Sequence, residues 1–221
     1  MQPTDKDVSA TAPEQDADFN GATPTHVPLE TYLEHYAARG FEWVEGTLVD
    51  MSPVVEEHDE LFQYLIGLFN VYLGLRTVGK IRVAPFTLYL PTSPNRRREP
   101  DIMFIRSEHQ DRLQHSMVSG APDIIIEIVS AESVERDYVD KFDEYEAGGV
   151  PEYWIIDPTR QRTRFHRLGD GGKYNLIAPD AEGNYQTPLL PDLRVHVPTL
   201  WAAPLPNLID TVRTVEAMLS K

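Results

Sequence analysis

The sequence predicts a mixed α/β fold, and three consecutive segments carry that prediction. The run from Asp123 to Val129 is apolar and rich in β-branched residues, as is typical of a strand buried on both faces. Residues Val134 to Ala147 are predicted to form a helix that ends at the pair Gly148–Gly149. Residues Tyr153 to Asp157 predict a second buried strand, which Pro158 closes. The order strand, helix, strand indicates a βαβ-type unit within a mixed sheet.

Further elements are predicted on both sides of this unit. A helix over residues 28–39 would place Leu29, Leu33, Tyr36 and Ala37 on one apolar face. The other predicted elements are a hairpin over 41–51 that turns at Glu45–Gly46, a helix over 57–74, strands over 81–90 and 101–105 with a loop between them, short strands beyond residue 169, and a terminal helix over 208–221.

Composition predicts one domain preceded by a tail. A chain of 221 residues, 41% of them hydrophobic and 25% charged, has enough apolar side chains for one substantial core. We expect that core in a single domain over residues 26–221. Residues 1–25 are rich in acidic side chains and have almost no apolar pattern, so we expect them to form a disordered acidic tail.

The absence of cysteine and of long apolar runs limits where the chain is expected to act. Without cysteine there are no disulfides, thiolate zinc sites or cysteine nucleophiles. The first residues lack a basic and then apolar signal, and no apolar run approaches the roughly 20 residues needed to span a bilayer. We therefore expect a cytoplasmic protein with no membrane partner.

The formal net charge of −15 is unusual for a protein that binds nucleic acid, because phosphate binding generally leaves a basic surface. Two basic clusters stand out against this charge, Arg96-Arg97-Arg98 and the group Arg160, Arg162, Arg164 and Arg167. Either these clusters hold a phosphate backbone, or the three adjacent arginines are simply solvated surface.

Glu127 is the first candidate for chemistry. An ionised carboxylate inside Ile-Ile-Ile-Glu-Ile-Val costs several kcal/mol unless it is paired, protonated or bound to a metal. The strand period of two places Glu127 on the face of Asp123, Ile125 and Val129. The alternative to a functional role is a structural pairing with a buried arginine or lysine.

Asp101 and Lys141 are candidates to join Glu127. Asp101 begins a predicted strand directly after Pro100, where it is either a second hard oxygen ligand for a magnesium ion or a strand-end turn aspartate. Lys141 shares a helix face with Asp137 and Tyr145. It either makes an exposed ion pair worth about 0.3–0.5 kcal/mol, or reaches back to the carboxylates, where its ammonium would stabilise charge developing at a phosphorus atom.

Four motifs follow one another along the chain, namely Glu99–Ile105, Ala121–Ser130, Asp137–Tyr145 and Gly149–Pro158. In this order they resemble the motifs of the Uma-type restriction endonuclease family, which belongs to the PD-(D/E)XK nuclease superfamily. The hairpin Phe41–Gly46, the Met51-Ser-Pro53 segment and His58 are also similar to its pattern, so the resemblance covers about residues 27 to 202.

The resemblance implies a restriction-endonuclease-like α/β core, in which a mixed central sheet is flanked by helices. An N-terminal helix and hairpin precede this core, and short strands follow it. It also implies that Asp101 and Glu127 bind Mg²⁺, or alternatively Mn²⁺, and that Lys141 is the catalytic lysine. One departure is that the superfamily's usual lysine position, two residues after the acid, is Val129 here. In the same comparison, Glu42 and His58 match positions that line the site, as an extra acid and as a proton-transfer or phosphate-contacting group.

The function that follows from the resemblance is metal-dependent hydrolysis of nucleic-acid phosphodiester bonds by an endonuclease. DNA is the favoured substrate, and a homodimer would suit the cutting of both strands. Asp137 or Tyr145 would hold Lys141 in position. Two alternatives stay open: a nuclease-fold binding or regulatory module that does not cut, favoured by the negative charge and Val129, and an α/β protein with a structural Glu127–Lys141 pair. A direct bridge with no room for an ion would favour the last.

Overall fold

The computed structural model describes residues 26–51 and 55–220. Its helices are α1 (Leu29–His35), α2 (Glu56–Leu75), α3 (Lys141–Ala147) and α4 (Leu208–Leu219). Its strands are β1 (Phe41–Val44), β2 (Thr47–Asp50), β3 (Gly79–Val83), β4 (Thr87–Tyr89), β5 (Arg96–Arg97), β6 (Ile102–Arg106), β7 (Met117–Ser119), β8 (Ile124–Ile128), β9 (Glu152–Asp157), β10 (Arg162–Leu168), β11 (Tyr174–Ile177), β12 (Asn184–Gln186) and β13 (Arg194–His196).

A six-stranded mixed sheet lies at the centre of the fold, with the strand order β11-β10-β9-β8-β6-β3. Strands β8 and β9 are parallel, whereas every other neighbouring pair in this sheet is antiparallel. Helix α3 connects the two parallel strands, as a parallel pair requires a crossover. The predicted strand–helix–strand unit and the mixed sheet are therefore confirmed.

The two faces of strand β8 pack into different cores. Ile124, Ile126 and Ile128 belong to the larger core, which also contains the buried side chains of α2 and α4. Ile125 and Val129 belong to the second core, on the side of α3. The predicted alternation along this strand is confirmed, and Glu127 consequently points to the same side as α3.

The hairpin and the long helix near the N-terminus follow the sequence pattern closely. Strands β1 and β2 pair around Glu45 and Gly46, which both have positive φ angles, 52° and 89°. Helix α1 ends at His35 and is therefore shorter than the helix predicted over residues 28–39. Its buried residue is Tyr32, whereas Leu33 is 41% exposed. The buried residues of α2 are Leu61, Leu65, Leu68, Phe69 and Tyr72, whose spacing places them on one face of the helix.

Three predicted elements differ in the structure. The strand predicted over 81–90 is divided into β3 and β4, which lie in different sheets, and Pro85 lies between them. Proline has no N–H to donate to a strand ladder, so it interrupts one. The loop predicted between the strands contains β5, which pairs with β1. The helix predicted over 134–147 contains a π-helical turn, Arg136–Asp140, directly before α3.

Some predictions lie outside the described residues. The acidic segment 1–25 and most of the Met51-Ser-Pro53 motif belong to this group, and the single-domain organisation over 26–221 stays a prediction. Among the residues that the structure describes, no helix is long and apolar enough to cross a membrane.

Candidate active site

The central sheet brings Asp101 and Glu127 together. Strands β6 and β8 are antiparallel with Ile102 opposite Ile126, and the same register continued by one residue places Asp101 opposite Glu127. The backbone N–H of Ile128 donates to Asp101 Oδ2 at 2.6 Å, which fixes this carboxylate against β8. Two acidic side chains that are 26 residues apart in sequence thus meet on neighbouring strands.

Lys141 lies at the start of α3 and is only 1% exposed. Its Nζ lies 2.9 Å from Glu127 Oε1, 3.2 Å from Asp137 Oδ1 and 3.3 Å from Glu42 Oε1. The alternative of an exposed helix-surface pair is therefore wrong. The π-helical turn that contains Asp137 directly precedes Lys141, and such turns are frequent at functional sites.

Glu127 uses one of its two carboxylate oxygens in these contacts. Its Oε1 accepts a hydrogen bond from the Tyr145 hydroxyl at 3.0 Å, in addition to the contact with Lys141. Among the described residues, neither Glu127 Oε2 nor Asp101 Oδ1 has a hydrogen-bond donor. Both acids therefore keep an oxygen for another ligand.

The supporting residues occupy distinct places around this pair of acids. His58, on α2, has its Nε2 3.4 Å from Asp101 Oδ2, and its Nδ1 is buried without a partner among the described residues. Glu42 Oε2 accepts from Arg98 Nη1 at 2.9 Å, and its Oε1 contacts Lys141. Both oxygens of Glu42 are thus held by cations, which makes it a support for Lys141.

The charges in this cluster shift one another's pKa values. Burial raises the pKa of Glu42, but the attraction of Lys141 and of Arg98 is larger in sum and lowers it to about 2. Burial raises the pKa of Glu127 and outweighs the opposing effect of Lys141. Burial lowers the pKa of Lys141, but the carboxylates of Glu127, Glu42 and Asp137 raise it above its usual value. The carboxylates thus favour the charged form of Lys141.

Asp101, Glu127 and Lys141 line one cleft of about 390 Å³, together with His58 and Asp137. Glu42 and Tyr145 do not line this cleft, but they contact Lys141 and Glu127, which do. The remaining walls are formed by Arg39, Gly40, Met51, Val55, Asp59, Phe62, Ala84, Pro85, Glu99, Ile128, Ser130, Ser133 and Arg136. A direct Lys141–Glu127 bridge therefore exists, but it lies beside open space.

The donor set fits a magnesium ion that keeps part of its water shell. Within residues 26–51 and 55–220 there is no cluster of three or more histidine or acidic side chains placed to hold a metal. Asp101 and Glu127 offer two hard oxygen ligands, and Mg²⁺ is usually bound through one or two carboxylates plus waters and substrate phosphate.

The arginine cluster near the site differs from both interpretations of its sequence. Arg98 is 2% exposed and contacts Glu144 Oε2 at 2.8 Å as well as Glu42. Arg97 stacks over the ring of Tyr89 at 4.1 Å from the centroid. Arg96 contacts Glu144 Oε2 at 3.2 Å. This segment is neither a free phosphate-binding patch nor solvated surface, because β5 pairs with β1 and the arginines contact Glu144 of α3.

Several residues of the site were not predicted from the sequence. Arg98 binds Glu42, which lies 56 residues away, and Glu144, which lies 46 residues away. Nothing in the local sequence signals either pairing. Arg136 and Phe62 line the cleft. Arg136 had a usable signal, since it lies directly beside Asp137 on the segment that leads into Lys141.

The sheet order, the flanking helices and the pair of acids on adjacent strands define an α/β protein with a restriction-endonuclease-like fold. The chain belongs to the family described as "Uma2: Putative restriction endonuclease", whose family model matches residues 29–198. A solved structure from Anabaena variabilis ATCC 29413, described as a putative nuclease belonging to DUF820, is similar with a TM-score of 0.64. It is 15% identical in sequence, and the match covers 79% of this chain and 97% of the other. No curated protein matches.

Proposed function

We propose that this protein hydrolyses phosphodiester bonds in nucleic acid, preferentially DNA, as a divalent-metal-dependent endonuclease. The observation that carries the proposal is the placement of Asp101, Glu127 and Lys141 on one cleft, with an unbonded carboxylate oxygen on each acid. Membership of the Uma2 family and the fold shared with the Anabaena protein support it.

Asp101 and Glu127 are the proposed ligands of Mg²⁺ or Mn²⁺. When bound, such an ion supplies Lewis acidity to the phosphoryl oxygen and lowers the pKa of the attacking water. The protein contributes orientation: the Ile128 amide holds Asp101, and Tyr145 with Lys141 holds Glu127. The two unbonded oxygens are thereby fixed before substrate arrives, which reduces the reorganisation needed in the transition state.

Lys141 is proposed to stabilise the negative charge that develops on the phosphoryl group as water attacks and the leaving oxygen departs. Asp137, Glu42 and Tyr145 act as positioning residues. Asp137 and Glu42 contact the Lys141 ammonium directly, and Tyr145 acts through Glu127. His58 is the proposed group for proton transfer to the leaving oxygen or for contact with the phosphate, since it lines the cleft beside Asp101.

A second candidate is a nuclease-fold module that binds without cutting. It is favoured by the contacts of the Lys141 ammonium with three acidic side chains, which compete with a phosphate for this cation. The net charge of −15 also favours it. For either candidate, action in the cytoplasm and assembly into a homodimer are part of the proposal.

Cleavage assays with active-site variants test the proposal. Purified protein is incubated with plasmid, linear and single-stranded DNA and with RNA, in Mg²⁺, in Mn²⁺ and in EDTA. Asp101→Asn, Glu127→Gln and Lys141→Ala are compared with Glu57→Gln, which removes an exposed carboxylate beside His58 that does not line the cleft. We expect metal-dependent cleavage of DNA by the wild type and by Glu57→Gln, and none by the other three.

Cleavage that persists in the three variants or in EDTA contradicts the proposed site. If the folded wild type cuts no substrate but retains binding of nucleic acid, the non-cutting module is the correct function. Sedimentation of the wild type with and without a duplex tests the homodimer independently.

A further inference from the structure

The cleft holds few cations that are free to meet a substrate. Lys141 is shared between three acidic side chains and the proposed scissile phosphate, and the arginines of residues 96–98 are buried or paired. Of the described residues that line the cleft, Arg39 and Arg136 are the two arginines, and neither has an ion-pair partner within the part of the chain that the structure describes. Arg39 is exposed and Arg136 is half-buried.

Arg136 is placed as an anion-binding residue would be. It lies in the π-helical turn one residue before Asp137, and its charge contributes to lowering the pKa of Glu42. Although carboxylates surround this part of the cleft, the Nε of Arg136 is buried and has no hydrogen-bond acceptor among the described residues. A buried donor without an acceptor costs free energy, which a bound ligand would recover.

The chemistry of a guanidinium narrows the class of ligand. Its planar fork of donors matches a phosphate in bidentate geometry and keeps its charge at every working pH. An acidic cleft would otherwise repel a strand that carries one negative charge per nucleotide. The scissile phosphate must approach Asp101 and Glu127, so a second phosphate of the same strand is the group left for Arg136.

We propose that Arg136, assisted by Arg39 at the rim of the cleft, forms a subsite for a backbone phosphate next to the scissile one. This subsite rests on the proposed function, since it requires a nucleic-acid strand in the cleft. It explains how a chain of strongly negative net charge could bind such a strand: two neighbouring arginines with no ion-pair partner among the described residues replace a general basic surface.

Binding measurements separate the subsite from the cleavage activity. Fluorescently labelled short DNA, single-stranded and duplex, is titrated with protein in EDTA and again in Ca²⁺, over a series of salt concentrations. The variants are Arg136→Gln, Arg136→Lys and Arg39→Gln. The matched control is Arg213→Gln, which removes the same charge from an exposed position on α4 outside the cleft. Far-UV circular dichroism and thermal unfolding verify that each variant is folded.

We expect Arg136→Gln to weaken binding about tenfold, and Arg39→Gln to weaken it less because Arg39 is exposed. The slope of log K against log salt should decrease in magnitude by about 0.7 for single strands and about 0.9 for duplex. Arg136→Lys should retain that slope with part of the affinity, and Arg213→Gln should match the wild type. A purely structural role for Arg136 would not change the salt slope.

The subsite and the proposed function fail in different ways. If the wild type binds and cuts DNA but Arg136→Gln keeps the affinity and salt slope of Arg213→Gln, the subsite is wrong and the nuclease proposal stands. If the wild type binds with the predicted Arg136 dependence and cuts nothing, the subsite stands and hydrolysis is wrong. If the wild type binds no DNA under any of these conditions, both are overturned.

Discussion

Two buried glutamates on neighbouring strands of the central sheet have opposite surroundings. Glu127 on β8 is 2% exposed and Glu152 on β9 is 1% exposed. Both oxygens of Glu152 are saturated by donors. They are Thr187 Oγ1 at 2.6 Å and Arg167 Nε at 2.7 Å on Oε1, and the Tyr185 hydroxyl at 2.7 Å and Trp154 Nε1 at 2.9 Å on Oε2.

Glu127 has donors on one oxygen only and borders the cleft, whereas Glu152 is not among the residues that line it. Burial therefore does not distinguish a structural glutamate from a candidate ligand. The distinguishing feature is hydrogen-bond capacity that the described residues leave unused, next to space that a ligand can enter.

The largest expected effect is on activity, and it should separate the two glutamates. Glu127→Gln should reduce cleavage about 1000-fold or more, because it removes a proposed metal ligand. Glu152→Gln should retain activity within a few fold at temperatures where it is folded, because Glu152 does not touch the cleft. Initial cleavage rates at saturating Mg²⁺, corrected for the folded fraction, measure both.

Ile126→Ala controls for damage to strand β8 itself. Ile126 is one residue from Glu127 and is buried in the opposite core. We expect this variant to lose about 2–5 kcal/mol of unfolding free energy and to cut normally while folded. Loss of activity in folded Ile126→Ala, or an activity of Glu127→Gln comparable with that of the wild type, would contradict the assignment of Glu127 as a metal ligand.

The second effect is on stability, where substitution of Glu152 should have the larger effect and substitution of Glu127 the smaller one. Glu152→Ala should lower the free energy of unfolding by about 3–5 kcal/mol, because Arg167 and three other donors lose their acceptor. Glu127→Gln should change it by less than about 1 kcal/mol, because burial already disfavours the ionised form of Glu127 and Lys141 keeps the carboxylates of Glu42 and Asp137. Urea unfolding at neutral pH measures both values. Equal destabilisation by the two substitutions would show that Glu127 is held as structurally as Glu152.

The placement of the candidate site was predictable where local pattern determined it. The period of two along β8 gave the direction of Glu127, and helical spacing placed Lys141 with Asp137 and Tyr145 on the side that faces it. These signals need only neighbouring residues. The roles of Asp101, Glu127 and Lys141 in chemistry stay predictions, whereas their meeting in one cleft is an observation.

What the sequence could not provide comes from contacts between distant segments. Glu152 gains two of its donors from residues 33 and 35 positions away, so its saturation is invisible in the local sequence. The burial of Arg98 depends on the pairing of β5 with β1 and on Glu144 in α3. A run of three arginines in a Pro-rich loop resembles exposed surface until those elements are folded around it.

The third effect concerns Glu42, a buried glutamate whose two oxygens are held by cations. Its pKa in the folded protein is about 2, below its ordinary value of 4.5, because Lys141 and Arg98 outweigh the effect of burial. An acid whose folded pKa is lowered contributes stability that is fully present above about pH 4.5 and is lost as the pH falls toward 2. We expect that contribution to be about 1–3 kcal/mol.

Comparison of the wild type with Glu42→Gln measures this contribution directly. Urea unfolding at intervals from pH 6 to pH 2 should give a difference in unfolding free energy that is constant down to about pH 4.5 and then shrinks toward zero. The difference in unfolding free energy should change only in the acid range, because Glu42 becomes protonated there whereas Gln cannot titrate. If the difference stayed constant to pH 2, or disappeared already at neutral pH, the ionised Glu42 carboxylate would not be what anchors Lys141 beside Glu127.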